Sequence, residues 1–200
     1  MNIFVVDLDP VQAAKDLPDK LVGRMALESC QMFSSWAFNT HGIRLVKKDG
    51  TLYGTKGHSN HPCTKWLYES PANVSWLLHH AIAHCEEHTA RRKTIHACEK
   101  TLRGLIDDLS KEQDPLAVDF TSVTPFVLCM PEQYKNPADP VESYRNFLMG
   151  DKGYAEWNYC SPPSWWNHET HKPAREKWLA EKMRKAALRK HANKEPKNPS

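Results

Sequence analysis

Asp19-Lys-Leu-Val-Gly-Arg-Met-Ala-Leu-Glu-Ser-Cys-Gln-Met-Phe-Ser-Ser-Trp-Ala-Phe38 decides the fold class. Leu21, Met25, Met32, Phe33 and Trp36 recur at helical spacing, which predicts a helix from Lys20 to about Phe38. Asp19 reads as its N-cap, because a short carboxylate there can accept from the unpaired N–H groups of the first turn. Lys20, Arg24 and Glu28 are spaced by four and share one face. A carboxylate held beside two cations stays ionised. It can act as a general base or stabilise a developing cation on a sugar, while the cations hold phosphates. The same spacing also suits a surface ion-pair ladder with little effect on stability.

Other segments support the same class. Upstream, Met1 to Asp7 predicts a short strand through Ile3, Phe4, Val5 and Val6, and Asp9-Pro10 opens a first helix. Downstream, Lys48-Asp49-Gly50 reads as the turn of a hairpin across 43–53. Further helices are predicted to start near Pro62 and at Ser70-Pro71, the second running towards Ala90. Leu102, Leu105, Ile106 and Leu109 stripe another over 99–109. Residues 113–140 read as irregular, 141–149 as a short helix, 173–191 as a basic helix and 193–200 as a disordered tail. The expected architecture is mainly α, a single compact helical domain with at most a small β-hairpin. Residues 1–170 form its body and 171–200 its basic C-terminal helix and tail.

Composition narrows the function classes. The chain is 40% hydrophobic and 26% charged, as in soluble globular proteins. Its longest apolar runs are far below the ~20 residues of a membrane helix. No signal peptide is read at the N-terminus. Cys30, Cys63, Cys85, Cys98, Cys129 and Cys160 are scattered singly, which argues against a disulfide framework or zinc ribbon and suits a reducing cytoplasm. Residues 171–200 hold ten Lys or Arg and three Glu, a net +7, whereas the rest holds 17 basic and 21 acidic residues, a net −4. A basic end on an acidic body suits contact with an anion, most often nucleic acid; a solvated tail has the same composition. No glycine-rich phosphate loop and no Gly-x-Ser-x-Gly elbow is present.

The densest chemical cluster is Gly57-His-Ser-Asn-His-Pro-Cys-Thr-Lys-Trp66. His58, Asn60 and His61 are too polar and too irregularly spaced for a core stripe. The imidazoles can bond a phosphate or base, or move protons, and Asn60 can read a base edge. Lys65 and Trp66 extend this wall towards a nucleic-acid ligand. His80, His84 and His88 have the i,i+4 spacing of helical zinc ligands, but a hydrated helix face explains them as well. No metal ligand set and no cofactor is therefore assigned. Tyr154, Trp157, Tyr159, Trp165 and Trp166 beside the basic helix suit stacking on unpaired bases, or equally the filling of a small core.

Thr55-Lys-Gly-His-Ser-Asn-His-Pro-Cys-Thr-Lys-Trp66, then a helix and Cys85-Glu86-Glu87, resembles the pattern of pyrimidine-dimer DNA glycosylases of the endonuclease V type. Arg24 and Glu28 in Leu21-Val-Gly-Arg-Met-Ala-Leu-Glu-Ser-Cys30 occupy the place of that family's basic residue and catalytic Glu. The chain also resembles uncharacterised phage proteins that begin Met-Asn-Ile-Phe-Val. The glycosylase resemblance implies an α-amine nucleophile at Met1 or Asn2, Glu28 as the carboxylate and Arg24 on DNA phosphate. His61 would act in the same catalytic group, with Lys20, His58 and Asn60 around the substrate.

The expected function is a DNA-acting base-excision enzyme on damaged or modified pyrimidines, with DNA as partner and no membrane contact, in the cytoplasm of a phage-infected host. A phage DNA base-modification transferase and a non-catalytic nucleic-acid- or host-protein-binding protein are the alternatives. The same reading expects His58, Asn60 and His61 to form one wall of a pocket and the Arg24–Glu28 helix the other.

Overall fold

The Leu21–Trp36 stripe is buried along one long helix, and the rest of the chain is arranged around it. The computed structural model describes residues 1–111 and 120–192. Over these, α1 spans Pro10–Asp16, α2 Asp19–His41, α3 Pro62–Trp66 and α4 Pro71–Arg92. Then come α5 at Glu99–Lys111, a 3-10 turn at Glu132–Tyr134, α6 at Pro140–Asp151 and α7 at His168–Ala192. The expected mainly α fold is what forms. The proposed tail at 193–200 and residues 112–119, which include the start of the irregular segment 113–140, lie outside the described residues.

Helix α2 packs on α4, and α1 packs on α4 beside it. Its C-terminus closes at Gly42, which adopts φ 70° and donates its N–H to the last carbonyls, a left-handed conformation that suits glycine. Helix α4 starts as the sequence predicts, with Ser70 accepting from Ala72 N–H. Trp66 and Trp76 meet edge to face at 6.3 Å in the core, and Trp76 Nε1 donates to the Leu8 carbonyl at 2.7 Å.

Two local expectations are corrected. Asp19 is the first residue of α2 rather than its cap, and Pro18 precedes it without a side-chain cap. The Asp19 carboxylate is used across space instead. It accepts from Arg91 at 3.1 Å and from Asn158 N–H at 2.6 Å, while Arg91 also donates to the Lys15 and Leu17 carbonyls. This buried pair ties the α1–α2 corner to α4 and to the C-terminal segment. The predicted strand at 1–7 does not form either. Ile3, Phe4, Val5 and Val6 are all buried, but Phe4 turns the chain with φ 45°, and no strand lies alongside among the described residues. Side chains satisfy its backbone: Asn2 Oδ1 accepts from Ile3 N–H at 2.8 Å, and Arg145 Nε donates to the Val6 carbonyl at 2.9 Å.

The hairpin at 43–53 shrinks to one bridge between Val46 and Leu52, closed by Gly50 at φ 84°. Of the aromatics from 154 to 166, Trp166 is buried, Tyr154, Trp157 and Trp165 are partly buried against the core, and Tyr159 is exposed. Trp165 Nε1 donates to Asp16 Oδ2 at 2.6 Å, Trp157 Nε1 to the Asp16 carbonyl at 3.2 Å, and Trp166 is buried against Trp157. Helix α7 begins five residues before Pro173 because Asn167 Oδ1 accepts from Thr170 N–H. It packs on α6 and on Gly153, where a Cβ would collide with the Ala174 carbonyl; beyond Arg175 it is largely exposed.

Candidate active site at the amino terminus

The i,i+4 spacing of Arg24 and Glu28 becomes a real contact on α2. Arg24 Nε donates to Glu28 Oε1 at 2.9 Å, and this carboxylate raises the Arg24 pKa further. The other oxygen, Oε2, accepts from the Asn2 backbone N–H at 2.8 Å and lies 4.0 Å from the Met1 amine. Glu28 is buried, whereas the Arg24 side chain is 63% exposed. One carboxylate thus faces the start of the chain on one side and an outward-facing guanidinium on the other.

Asn2 is locked in place from several directions. Its Nδ2 donates to the Cys129 carbonyl at 2.7 Å. Its Oδ1 lies 2.7 Å from the Tyr144 hydroxyl, whose single proton is shared with the Val127 carbonyl at 2.6 Å. Cys129 and Tyr144 escaped the sequence reading. They lie 127 and 142 residues from Asn2, and no spacing links them.

The His-Pro loop joins this site through His61. His61 is the N-cap of α3, its Nδ1 accepting from Cys63 N–H at 3.2 Å. Partial burial lowers the His61 pKa, the positive amino terminus and His58 push it the same way, and Glu28 opposes them. The amino terminus also acts electrostatically on Cys63 and Cys129, whose sulfurs lie 3.4 Å apart. Hydrogen bonding between the two thiols pulls Cys129 down to about 7 and pushes Cys63 up. One ligand-type atom from each of His61, Cys63 and Cys129 lies within 4.8 Å of the other two.

The remaining predicted residues divide clearly. Lys20 is exposed, with its ammonium 4.5 Å above the Tyr154 ring, and Tyr154 in turn feels the charges of Arg24 and Glu28. His58 is half-buried near His61. Asn60 and Lys65 are exposed, and no hydrogen bond or ion pair among the described residues ties them to Glu28. Trp66 is corrected: it is 0% exposed, its ring pressed on Trp76 and Phe126, so it cannot touch a substrate. The hydrated histidine face is corrected too. His80 and His84 are fully buried and pack ring to ring at 4.4 Å, while His88 meets His96 elsewhere.

Arg24 has a second neighbour. With Gly23, Leu27, Lys47, Tyr53 and Cys98 it lines an open cavity of about 790 Å³. The guanidinium therefore stands between the Glu28 carboxylate and a space of ligand size.

The sequence model of the pyrimidine dimer DNA glycosylases matches residues 1–100, half of the chain. The chain belongs to the pyrimidine dimer DNA glycosylase family. The match spans Met1, Asn2, Lys20, Arg24, Glu28 and the His-Pro loop, whereas Cys129, Tyr144 and Tyr154 lie beyond it. No curated protein and no solved structure matches this glycosylase-family chain. Among its described residues, no helix is long and apolar enough to cross a membrane.

Proposed function

We propose that the protein excises a damaged or modified pyrimidine from DNA, with the chain's amino group as nucleophile and an associated strand-cleaving lyase step. The observation that supports this most directly is the double engagement of Glu28, one oxygen on Arg24 and the other at the start of the chain. Family membership supplies the substrate class, DNA with altered pyrimidines.

In this reading Arg24 and Lys20 hold phosphates on either side of an extruded nucleotide. The cavity beside Arg24 is a space for a base taken out of the stack. A neutral amine attacks C1′ of the deoxyribose. The C1′–N bond to the base breaks, and its electron pair leaves with the pyrimidine, which takes up a proton. Glu28 stabilises the positive charge that develops on the sugar and accepts the proton released by the attacking nitrogen. Ring opening then gives a Schiff base at C1′, from which β-elimination expels the 3′ phosphate.

Two nitrogens compete for the nucleophile's role. Met1 carries the free amine in this sequence, 4.0 Å from Glu28 Oε2, whereas Asn2 N is at 2.8 Å. Removal of Met1 would turn the nearer nitrogen into the amine without moving Glu28. The test is incubation with ultraviolet-irradiated DNA followed by borohydride, with peptide mapping of the trapped adduct. An adduct on the first residue is expected. Neither scission nor adduct on irradiated or base-modified DNA would rule out the lyase version.

A further inference from the structure

The cluster next to the amino terminus contains chemistry that the excision reaction does not use. His61, Cys63 and Cys129 offer one imidazole and two sulfurs, all within 4.8 Å of one another. Cys63 is fully buried in the first turn of α3, and His61 precedes it by two residues as the cap. Cys129 comes from a distant loop, 66 residues on, and its carbonyl is fixed by the Asn2 side chain. Two segments, the start of α3 and the loop that carries Cys129, therefore bring the ligand atoms together before any ligand is bound.

We propose that His61, Cys63 and Cys129 bind a single zinc ion, the fourth position being left to water or to a group from the adjoining Met1–Glu28 pair. Two sulfurs and one imidazole are the donor set of an open Cys₂His zinc site. Soft thiolate donors select zinc over magnesium or calcium. The three donor atoms, within 4.8 Å of one another, need to shift by about 1 Å at most to reach the geometry of such a site. Tetrahedral zinc with sulfurs at about 2.3 Å separates them by about 3.8 Å, and places a ring nitrogen about 3.6 Å from each sulfur. The observed separation of 3.4 Å between the two sulfurs needs only a small opening. A disulfide needs closure to about 2.05 Å and has no use for the imidazole.

Charge also permits the ion. Binding releases one proton from each thiol, so Zn²⁺ with two thiolates and a neutral imidazole carries no net charge. A neutral assembly avoids the cost of a bare cation beside the buried Cys63. The local change is small. Nδ1 of His61 either gives its lone pair to the metal or takes the proton displaced from Nε2. In both cases the 3.2 Å cap bond from Cys63 N–H is exchanged for a metal bond.

The site is independent of the excision reading, because zinc content is measured without DNA. The experiment uses the full chain purified under reducing conditions, elemental analysis, and replacement of zinc by cobalt(II). About one zinc per chain is expected, with a strong thiolate-to-cobalt charge-transfer band in the cobalt form. Cys129→Ser and His61→Asn should each lower zinc occupancy at least tenfold and weaken that band, while His88→Asn should leave both intact. Cys63 lies in the core, so Cys129→Ser carries the test wherever Cys63→Ser fails to fold. A folded, reduced chain that takes up neither zinc nor cobalt would overturn the proposal. So would full occupancy and an unchanged cobalt spectrum in both Cys129→Ser and His61→Asn.

Discussion

The backbone nitrogen of Asn2 lies 2.8 Å from Glu28 Oε2, although 26 residues separate them. Glu28 is thereby shared between the first residues and Arg24 on its own helix. Replacing it by Gln keeps an acceptor for Asn2 N–H but removes the charge. Glu28→Gln should lower excision and borohydride trapping by about 10²- to 10⁴-fold, the usual reach of a positioned acid–base group. Single-turnover assays on irradiated DNA, beside a binding measurement, check this. A non-catalytic binder would keep its affinity, and unchanged turnover would remove Glu28 from the mechanism.

Arg24 is mostly exposed and stands between Glu28 and the neighbouring cavity. If it contacts a phosphate, Arg24→Gln should weaken DNA binding and reduce the slope of log affinity against log salt by about one. Titrations of duplex DNA at several salt concentrations measure that slope. An unchanged slope would place Arg24 on Glu28 alone.

Tyr144 positions Asn2 from the far end of the chain through a hydroxyl contact of 2.7 Å. Tyr144→Phe removes that hydroxyl from a buried pair. A stability loss of about 1 kcal/mol is expected in urea unfolding, rising towards about 3 if the abandoned acceptors find no new donor. Trapping should slow while DNA affinity holds, because the change moves the nucleophile and not the phosphate contacts.

Arg91 and Asp19 form a buried ion pair at 3.1 Å, their side chains 4% and 6% exposed. Arg91→Ala leaves the buried Asp19 carboxylate without its counter-charge and the Lys15 and Leu17 carbonyls without that donor. Loss of one partner of such a pair costs about 3–5 kcal/mol, so the variant should unfold at much lower urea. Replacing both residues by apolar side chains should recover part of the loss.

His80 and His84 predict the acid behaviour. Burial lowers His80 to about 3 from 6.5 and His84 well below 6.5, and their ring nitrogens have no hydrogen-bond partner among the described residues. Above pH about 6.5 both rings are neutral in the folded and unfolded chain, so their contribution is level. Below it the unfolded chain binds protons that the folded chain refuses. Stability should therefore fall as pH drops from about 6.5 towards 3, by up to about 1.4 kcal/mol per pH unit for each ring. His80→Leu should flatten the slope by roughly one ring's share, as urea unfolding across pH would show.

Local rules explain what was readable. The α2 stripe, the Pro10, Pro62 and Pro71 starts and the Ser70 cap all depend on neighbours within one or two turns. Arg24–Glu28 belongs with them, since four residues on a helix fix its geometry. The strand at Ile3–Val6 failed because apolarity marks burial, not pairing. Packing from several sides satisfied these side chains without a sheet. Asp19 misled because a carboxylate at a helix start can cap its own turn or reach a distant cation, and Arg91 comes from 72 residues away.

The helical class, most helix boundaries and the carboxylate–guanidinium pair are legible in the linear chain, because they follow from 3.6-residue periodicity and local hydrogen bonding. What the pair faces depends on the packed fold. Packing brings Asn2 to Glu28, sets Cys129 and Tyr144 around Asn2, and seals Trp66 and His80 in the core. Those contacts depend on how helices stack, and packing joins residues at separations over which a linear pattern has no period.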